Sequence, residues 1–251
     1  MTNALTIDAD PAVEEELFAP AKLTLSLRIT GIRPDGYHLI DAEMVTLDLG
    51  DELRLGPGDD LVAVDAVSGE HLDIGPRESN LITRALRSAD RRRSVLVRKR
   101  IPAGAGLGGG SADAAAVLRW AGSTDLGMAA GLGADVPFCI VGGRARVRGI
   151  GEVVDPLPFV ERTLTLWTPP FGCSTPAVYR AWDELGGPTG DLGNDLEPAA
   201  LVVEPRLARW RDELAAVSGQ RPRLAGSGST WFVDGEHPGD GRIVVHTTPP
   251  I

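Results

Sequence analysis

A glycine-rich loop at residues 104–110, which reads Gly-Ala-Gly-Leu-Gly-Gly-Gly, is the clearest chemical signal in the sequence. Five glycines in seven positions favour a backbone that turns its N–H groups inward around a bulky anion. An alanine-rich helix is predicted to follow, and Ser111 is placed to cap it. The free N–H groups and the dipole of that helix would face the same anion. We interpret the loop as a binding site for a phosphate chain rather than as a flexible connection.

Two other phosphate-binding motifs compete for this loop. Gly104, Gly106 and Gly109 satisfy the G-x-G-x-x-G spacing of dinucleotide-binding folds. That fingerprint also needs a strand ending in an acidic residue about 20 positions on, whereas Asp125 follows Ala-Gly-Ser-Thr instead of an apolar run. A Walker loop needs a lysine after its last glycine, and here Ser111 follows directly. Both motifs therefore fit the sequence poorly.

Lys22 is singled out by composition. Only two of the 25 basic residues are lysines, Lys22 and Lys99, and the others are arginines. Lysine differs chemically from arginine because its ammonium group is a compact point charge. Lys22 also lies in the apolar, strand-like run 21–29, where a solvent-exposed charge is not expected by default. A functional lysine and a lysine that reaches outward from a strand edge both fit this position.

The segment 131–143 places Asp135 between a glycine turn and Val-Pro-Phe, and we expect it at the mouth of an apolar strand. A partly buried carboxylate needs a partner, and Lys22 is the cation that composition marks. Such a pair beside a phosphate loop suits phosphoryl transfer, with the Asp accepting the proton of an attacking hydroxyl. Taken alone, Asp135 also fits a structural turn or a helix cap. A third small-residue loop, at 224–230, leads into another strand and is by itself a weak signal.

Three segments resemble, in this order, the three motifs of the GHMP kinases. They are the loop at 104–110 (the phosphate loop), the segment 131–143 around Asp135 (the Asp turn) and the C-terminal Gly-Ser-Gly loop at 224–230. Flanking stretches extend the resemblance to those GHMP kinases that act on a cytidine-diphosphate sugar alcohol. The matching stretches are 19–22, 33–38, 47–53, 80–82, 101–116, 133–138, 149–152, 174–176 and 194–197. The most specific combination joins Arg-Pro-Asp-Gly-Tyr-His at 33–38 with Pro-Ala-Lys at 20–22.

The resemblance implies an α+β fold of two domains, with the active site in the cleft between them. The N-terminal domain would resemble domain 2 of ribosomal protein S5, and the C-terminal domain would be ferredoxin-like. The break at 156–162 places the domains at residues 1–157 and 158–251. The implied activity is transfer of the γ-phosphate of ATP, accompanied by Mg²⁺, to the 2-hydroxyl of the sugar alcohol, a step of non-mevalonate isoprenoid synthesis.

Two alternatives remain open at this point. One is a GHMP kinase for another small alcohol, such as homoserine or mevalonate, which the Pro-Asp-Gly-Tyr-His stretch at 34–38 disfavours. The other is a nucleotide-binding module without catalysis, which the presence of both Lys22 and Asp135 disfavours.

The resemblance also assigns roles to individual residues. Lys22 and Asp135 match the catalytic pair of the family. The residues that match its ATP site are Asn80, Pro102, Gly104, Ala105, Gly106, Leu107, Gly108, Gly109, Gly110, Ser111 and Ala112. The residues that match its substrate site are Thr24, Tyr37, His38, Thr175 and Tyr179. The aromatic members would hold the cytosine and Thr175 would lie near the substrate phosphates; no metal ligand is assigned.

The chain departs from the family pattern at several points. Thr24 stands where the family has Asn, and Ala112 stands where it has the second Ser of the loop. The segment 123–133 and the C-terminal end are shorter than usual in the family. These departures concern substrate anchoring and the helical layer more than the phosphoryl transfer itself.

Composition limits the choice of partners and location. The chain has 251 residues and a formal net charge of −10, so nucleic acid is not an expected partner. Cys139 and Cys173 are expected to be buried or partly buried free thiols in a reducing cytosol. No apolar run is long enough for a membrane span. The acidic N-terminal residues do not have the pattern of a signal peptide, and we expect about residues 1–15 to form a loose tail. We expect a cytoplasmic monomer or homodimer that binds small molecules.

Hydrophobic periodicity predicts the elements that must position these residues. Strands are predicted at 21–30, in one or two segments at 43–57, at 94–102, in a pair over 138–157, at 163–170, after the loop at 224–230, and at 242–250. Helices are predicted at 80–93, where Asn80 is the cap, and at 111–122, 174–187 and 198–219.

Overall fold

Two long antiparallel strands, β1 (Glu15–Ile32) and β2 (His38–Gly56), dominate the computed structural model, which describes residues 14–251. The turn between them contains Pro-Asp-Gly, and its Gly36 has φ +87°, a conformation that glycine adopts without steric cost. Residues 19–25 in the middle of β1 are buried. The tail predicted at about residues 1–15 lies outside the described residues, except that β1 already begins at Glu15.

Four further strands complete the first sheet. They are β3 (Leu61–Asp65), β4 (Ser94–Lys99), β5 (Arg144–Gly149) and β6 (Val153–Leu157). The sheet order is β3-β4-β2-β5-β6, with β1 paired to β2. All pairings are antiparallel except that of β3 with β4. The predicted segments at 43–57 form the single strand β2, and β3 was not predicted.

The helices of this part of the chain are α1 (Leu81–Ser88), α2 (Gly109–Trp120), α3 (Leu126–Leu132) and α4 (Val136–Val141). The predicted cap of α1 is confirmed, since Asn80 accepts a hydrogen bond from the N–H of Ile82 at 2.9 Å. Helix α2 packs against β1, α1 and α4, and its residues 112–118 are buried. Because most of these side chains are alanines, α2 can lie close to the sheet. Helix α3 was not predicted.

A second, four-stranded antiparallel sheet has the order β10-β7-β9-β8. Its strands are β7 (Thr163–Trp167), β8 (Arg223–Leu224), β9 (Trp231–Asp234) and β10 (Arg242–His246). The accompanying helices are α5 (Thr175–Glu184), α6 (Glu197–Val203) and α7 (Leu207–Ser218). Trp231 and Phe232 are fully buried in the core of this part.

Two predicted elements are wrong. The helix predicted over 198–219 is divided into α6 and α7, because Pro205 has no backbone N–H with which to continue α6. The strand predicted directly after Asp135 is the short helix α4, and Pro137 fits its first turn. An apolar run as short as 136–141 fits a buried helix as well as a strand, so its periodicity does not distinguish them.

Two mainly antiparallel sheets with separate helices confirm the predicted α+β class. The first sheet takes its strands from residues up to Leu157, and the second takes its strands from Thr163 onward. This change of sheet supports a domain boundary at 157/158, which stays a prediction.

Candidate active site

A cleft with a volume of about 1650 Å³ is lined by residues that belong to both sheets and their connections. The predicted site residues on its walls are Lys22, Thr24, Tyr37, His38, Asn80, Pro102, Gly104, Ala105, Gly106, Leu107, Gly108, Gly109, Gly110, Ser111, Asp135, Thr175 and Tyr179. Ala112 is the exception, because it is buried inside α2 and does not line the cleft. The fold thus brings the predicted residues to one place, although they are spread over most of the sequence.

Close backbone approach explains the glycines of the loop between β4 and α2. Gly106 has φ +78°, and a Cβ atom there would lie 2.4 Å from the carbonyl oxygen of Ala225. Gly108 has φ +72°, and a Cβ atom there would lie 2.8 Å from Cγ of Lys22. Residues with side chains rarely adopt such φ values. The glycines therefore let this loop touch both the lysine of β1 and the C-terminal small-residue loop.

In this loop the carbonyl oxygens form hydrogen bonds with other parts of the protein, whereas the backbone N–H groups do not. The carbonyl oxygens of Ala105 and Leu107 accept hydrogen bonds from the backbone N–H groups of Thr230 and Lys22, both at 3.1 Å. By contrast, no backbone N–H group of residues 104–111 donates a hydrogen bond within the described part of the chain. A row of unpaired N–H groups that ends at a helix N-terminus is an anion-binding arrangement. The loop therefore suits a phosphate chain.

Ser111 does not cap α2, so this prediction is wrong. The helix begins at Gly109, its N-cap is Gly108 in the left-handed conformation, and no side chain caps it. The glycines allow the helix to begin three residues earlier than predicted, which places Ser111 in its first turn on the wall of the cleft. The first N–H groups of the helix are then left for a ligand instead of a side chain.

Lys22 and Asp135 form the predicted pair, with Nζ of the lysine 3.2 Å from Oδ2 of the aspartate. Lys22 is 5% exposed, and its Nζ also donates a hydrogen bond to Oγ1 of Thr24 at 3.1 Å. The Asp135 side chain is 30% exposed, so it opens to the cleft. Asp135 lies at the N-cap of α4, not at the mouth of a strand, and its carboxylate caps no backbone N–H. The carboxylate is therefore held by the ammonium group and free to meet a substrate.

The hairpin turn between β5 and β6 supports Asp135 from behind. Gly151 has φ +119°, and a Cβ atom there would lie 2.1 Å from the carbonyl oxygen of Ala134. The Glu152 carboxylate stabilises the turn by accepting a hydrogen bond from the N–H of Ile150 at 2.6 Å. The turn therefore fixes the backbone next to Asp135.

Lys99, the second lysine of the chain, lies in a buried charge cluster that was not predicted. Its Nζ donates hydrogen bonds to the carboxylates of Asp51 and Asp113, the latter at 2.7 Å. Oδ1 of Asp51 also accepts the backbone N–H groups of Arg100 at 2.6 Å and Ile101 at 2.9 Å. The cluster ties the chain just before the phosphate loop to the helix just after it. The scarcity of lysine that marked Lys22 was also the signal for Lys99.

Burial shifts the ionisation of this cluster. It raises the pKa of Asp113 to about 7, although the Lys99 ammonium acts in the opposite direction. Burial also lowers the pKa of Lys99, but the two carboxylates outweigh that effect and the net direction is upward. One cation between two carboxylates leaves an excess negative charge in the interior, which a proton on Asp113 removes.

The C-terminal small-residue loop is held by side chains from two other matching stretches. Asn194 donates hydrogen bonds from Nδ2 to the carbonyl oxygens of Leu224 at 2.8 Å and Gly226 at 2.7 Å. Oγ1 of Thr175, in the first turn of α5, lies 2.8 Å from Oγ of Ser227. This loop, a weak signal in the sequence, is thus a fixed wall of the cleft.

Aromatic residues line the other end of the cleft. The ring centroid of His38 lies 4.7 Å from that of Tyr179 and 5.6 Å from that of Trp182. Tyr37 is 60% exposed, and the two tyrosine rings do not stack on each other in the described structure. Burial raises the pKa of the Tyr179 phenol, so this ring remains a neutral, flat surface. Trp182 was not among the predicted site residues.

The structure argues against the dinucleotide-binding alternative for the glycine loop. Asp125 caps α3 by accepting the N–H of Met128 at 3.0 Å, and a helix rather than a strand follows α2, so the dinucleotide-binding fingerprint is not formed.

Among residues 14–251, no group of three or more His, Cys, Asp or Glu side chains could hold a metal ion. No helix in this range is long and apolar enough to cross a membrane. Cys139 and Cys173 are buried free thiols, as predicted.

Comparison with known sequences agrees with the geometry. The model of the GHMP kinases N terminal domain matches residues 80–143. A 4-diphosphocytidyl-2-C-methyl-D-erythritol kinase of Paracoccus denitrificans (strain Pd 1222) is 39% identical over 233 residues, which cover 85% of this chain and 84% of the relative. A protein of the same name from Cereibacter sphaeroides (strain ATCC 17029 / ATH 2.4.9) is 39% identical over 246 residues, which cover 86% and 88%.

Solved structures give the same result. A crystal structure of 4-(cytidine 5'-diphospho)-2C-methyl-D-erythritol kinase matches with a TM-score of 0.72 and 31% identity, over 93% of this chain and 99% of that one. A mevalonate kinase matches with a TM-score of 0.57 and 13% identity, over 94% and 99%, which shows a shared fold alone. The chain therefore belongs to the GHMP kinases and, within them, to the 4-diphosphocytidyl-2-C-methyl-D-erythritol kinase family.

Proposed function

We propose that this protein transfers the γ-phosphate of ATP to the 2-hydroxyl of 4-diphosphocytidyl-2-C-methyl-D-erythritol, a step of non-mevalonate isoprenoid synthesis. The observation that carries the proposal is the junction of the phosphate loop and the Lys22–Asp135 pair. The run of unpaired N–H groups at residues 104–111 includes Gly108, whose backbone crosses Lys22, and Nζ of Lys22 is 3.2 Å from the Asp135 carboxylate. A phosphate chain on the loop and a hydroxyl on the aspartate would meet at this point.

Each member of the pair has a separate task. The Asp135 carboxylate accepts the proton of the attacking hydroxyl, which strengthens the oxygen nucleophile. The Lys22 ammonium offsets the free-energy cost of keeping that carboxylate charged in a cleft. Oγ1 of Thr24 helps to hold the ammonium in place by accepting a hydrogen bond from Nζ at 3.1 Å. Since phosphoryl transfer depends mainly on positioning and on charge stabilisation, these residues and the loop N–H groups cover most of what the step requires.

The nucleotide is expected to arrive with Mg²⁺, and the cleft fits this expectation. Mg²⁺ usually takes few protein ligands, because substrate phosphates and water complete its coordination. Ser111 supplies a hydroxyl close to the Asp turn, since a Cβ atom on Gly133 would lie 3.8 Å from its Oγ. The hydroxyl oxygen of Ser111 is the protein oxygen that we propose to hold the ion, while Asp135 stays free to act as the base. When bound, the ion would neutralise charge on the phosphate oxygens.

The aromatic end of the cleft is proposed to hold the cytosine. Tyr179 and Tyr37 offer faces on which a pyrimidine can stack, and His38 offers a polar edge. Thr175, fixed against Ser227 at 2.8 Å, lines the same cleft, and the substrate phosphates are proposed to pass near it. The family relatives carry a cytidyl substrate in their name, which supports this assignment.

The rival activity is a GHMP kinase reaction on homoserine or mevalonate. ADP release measured with the cytidyl substrate, homoserine and mevalonate at equal concentrations decides between them. We expect turnover with the cytidyl substrate to exceed the other two by at least about 100-fold. Comparable turnover with either small alcohol would overturn the assigned substrate and leave the kinase chemistry intact. The cytoplasmic location and the choice between monomer and homodimer stay predictions.

A further inference from the structure

His38 is held by a carboxylate that belongs to the other part of the chain. His38 is the first residue of β2 in the first sheet, and Asp183 lies in α5 beside the second sheet. Nε2 of His38 is 2.8 Å from Oδ1 of Asp183. The His38 side chain is only 10% exposed, whereas that of Asp183 is 42% exposed. Both residues line the cleft.

The remaining surroundings of the imidazole fix its plane. Tyr179 lies against the ring at 4.7 Å with an interplanar angle of 38°, and Trp182 meets it edge-on at 5.6 Å and 84°. Nδ1 forms no hydrogen bond with a described residue, and it is not among the buried polar atoms that lack a partner. The ring therefore has one nitrogen occupied by Asp183 and the other open to the cleft.

The carboxylate determines which nitrogen carries the proton. An ionised carboxylate only accepts hydrogen bonds, so Nε2 must be the donor, and a neutral imidazole then keeps a lone pair on Nδ1. A lone pair at that position can accept from an amino group but repels a carbonyl oxygen. At position 4 of the ring cytosine carries an amino group where uracil carries a carbonyl, and at N3 cytosine has a lone pair where uracil has an N–H. Nδ1 therefore distinguishes the two bases in the stated sense where it faces position 4.

We propose that Asp183 is a positioning residue that fixes His38 in the Nε2-protonated form, so that Nδ1 selects an aminopyrimidine over a ketopyrimidine. The proposal rests on the proposed function, since it concerns how the same cleft distinguishes cytosine from uracil. Asp183 acts through His38 and does not itself touch the base. It lies outside the stretches that carry the family resemblance, where 174–176 is the nearest.

The test compares Asp183→Leu, Asp183→Glu and Glu184→Leu. The leucine removes the acceptor with similar bulk, the glutamate restores a carboxylate, and Glu184→Leu is the matched control because it removes a charge from the adjacent exposed position of α5. For Asp183→Leu we expect the preference for the cytidyl substrate over its uridyl analogue, as a ratio of kcat/KM, to fall about tenfold. The KM for ATP should stay within about twofold, and Asp183→Glu should recover part of the preference.

Nitrogen-15 spectra of the histidine rings test the tautomer directly. The chain has four histidines, His38, His71, His237 and His246, so the signals can be assigned with single substitutions. The wild type should show His38 protonated at Nε2 alone, and Asp183→Leu should show a mixture of both forms. Unchanged His38 signals in Asp183→Leu, or an unchanged base preference despite altered signals, would overturn the proposal. If the wild type fails to use the cytidyl substrate, the proposed function is wrong, and the spectra still decide whether Asp183 sets the tautomer.

Discussion

The backbone of Gly108 crosses the side chain of Lys22 so closely that a Cβ atom on the glycine would lie 2.8 Å from Cγ of the lysine. The same glycine has φ +72° and is the N-cap of α2. The glycine loop, the helix N-terminus and the lysine of the Lys22–Asp135 pair are therefore one structural unit.

Gly108→Ala tests this unit. The variant is expected to raise the Kd for ATP by about tenfold or more, because the new side chain is strained at this φ and displaces Lys22. Calorimetry with ATP, and separately with the cytidyl substrate, should show nearly unchanged affinity for the latter. Gly122→Ala is the matched control, since Gly122 has φ +76° and nothing lies within 4 Å of an added Cβ. Equal losses for both ligands would mean that the loop is merely structural.

Much of the fold could be predicted from the sequence, because apolar and polar residues alternate clearly along its strands and its turns contain Pro, Asp and Gly. Strands such as β7 and β10 and helix α5 follow the predicted segments closely. The pairing of Lys22 with Asp135 was also predictable, because lysine is rare in the chain and Asp135 lies in a distinctive turn.

Other features depended on information that is not local. The run 136–141 is too short for periodicity to separate helix from strand. Ser111 reads as a cap, but the left-handed Gly108 takes that position. The cluster of Lys99, Asp51 and Asp113 joins residues from three elements, and no single segment of sequence indicates that they meet.

Asp113→Asn should change the dependence of stability on pH. The folded-state pKa of Asp113 is raised to about 7, so the folded protein binds a proton that the unfolded chain releases above about pH 4. The wild type therefore loses stability as pH rises from about 4 to 7, and the amide removes this loss. The free energy of unfolding of the variant, relative to that of the wild type, should therefore rise by on the order of 2 kcal/mol from pH 5 to pH 8.

Urea unfolding at pH 5, 6, 7 and 8 measures the difference for this variant. Asp212→Asn, on the outer side of α7, is the control and should show the same pH dependence as wild type. A wild-type-like profile for Asp113→Asn would mean that Asp113 is ionised in the folded protein throughout this range.

Gly151→Ala should affect the chemical step without affecting ATP binding. The added methyl group would lie 2.1 Å from the Ala134 carbonyl oxygen, so the turn that carries Asp135 must move. We expect kcat to fall about tenfold or more while the KM for ATP stays within about twofold, since small displacements of a catalytic group are costly. Gly69→Ala, at φ +74° with free space around it, should leave both parameters unchanged. A rise in the KM for ATP with normal kcat would contradict the role of this turn.

Tyr179→Leu tests the cytosine end of the cleft. Loss of one stacking face should raise the KM for the cytidyl substrate by about tenfold, which corresponds to ~1.4 kcal/mol, and leave the KM for ATP unchanged. Phe171→Leu is a suitable control, because Phe171 is a half-buried aromatic residue that does not line the cleft. A lower melting temperature with an unchanged KM would make Tyr179 a packing residue and remove the cytosine pocket.

The turnover number of Asp135→Asn tests the proposed chemistry most directly. The amide keeps the shape of the side chain but cannot accept the proton of the attacking hydroxyl, so kcat should fall by about 10²–10⁴-fold with ATP binding retained. Asp73→Asn makes the same change on another wall of the cleft and should keep normal turnover. A kcat of Asp135→Asn close to that of the wild type would contradict the assignment of Asp135 as the base.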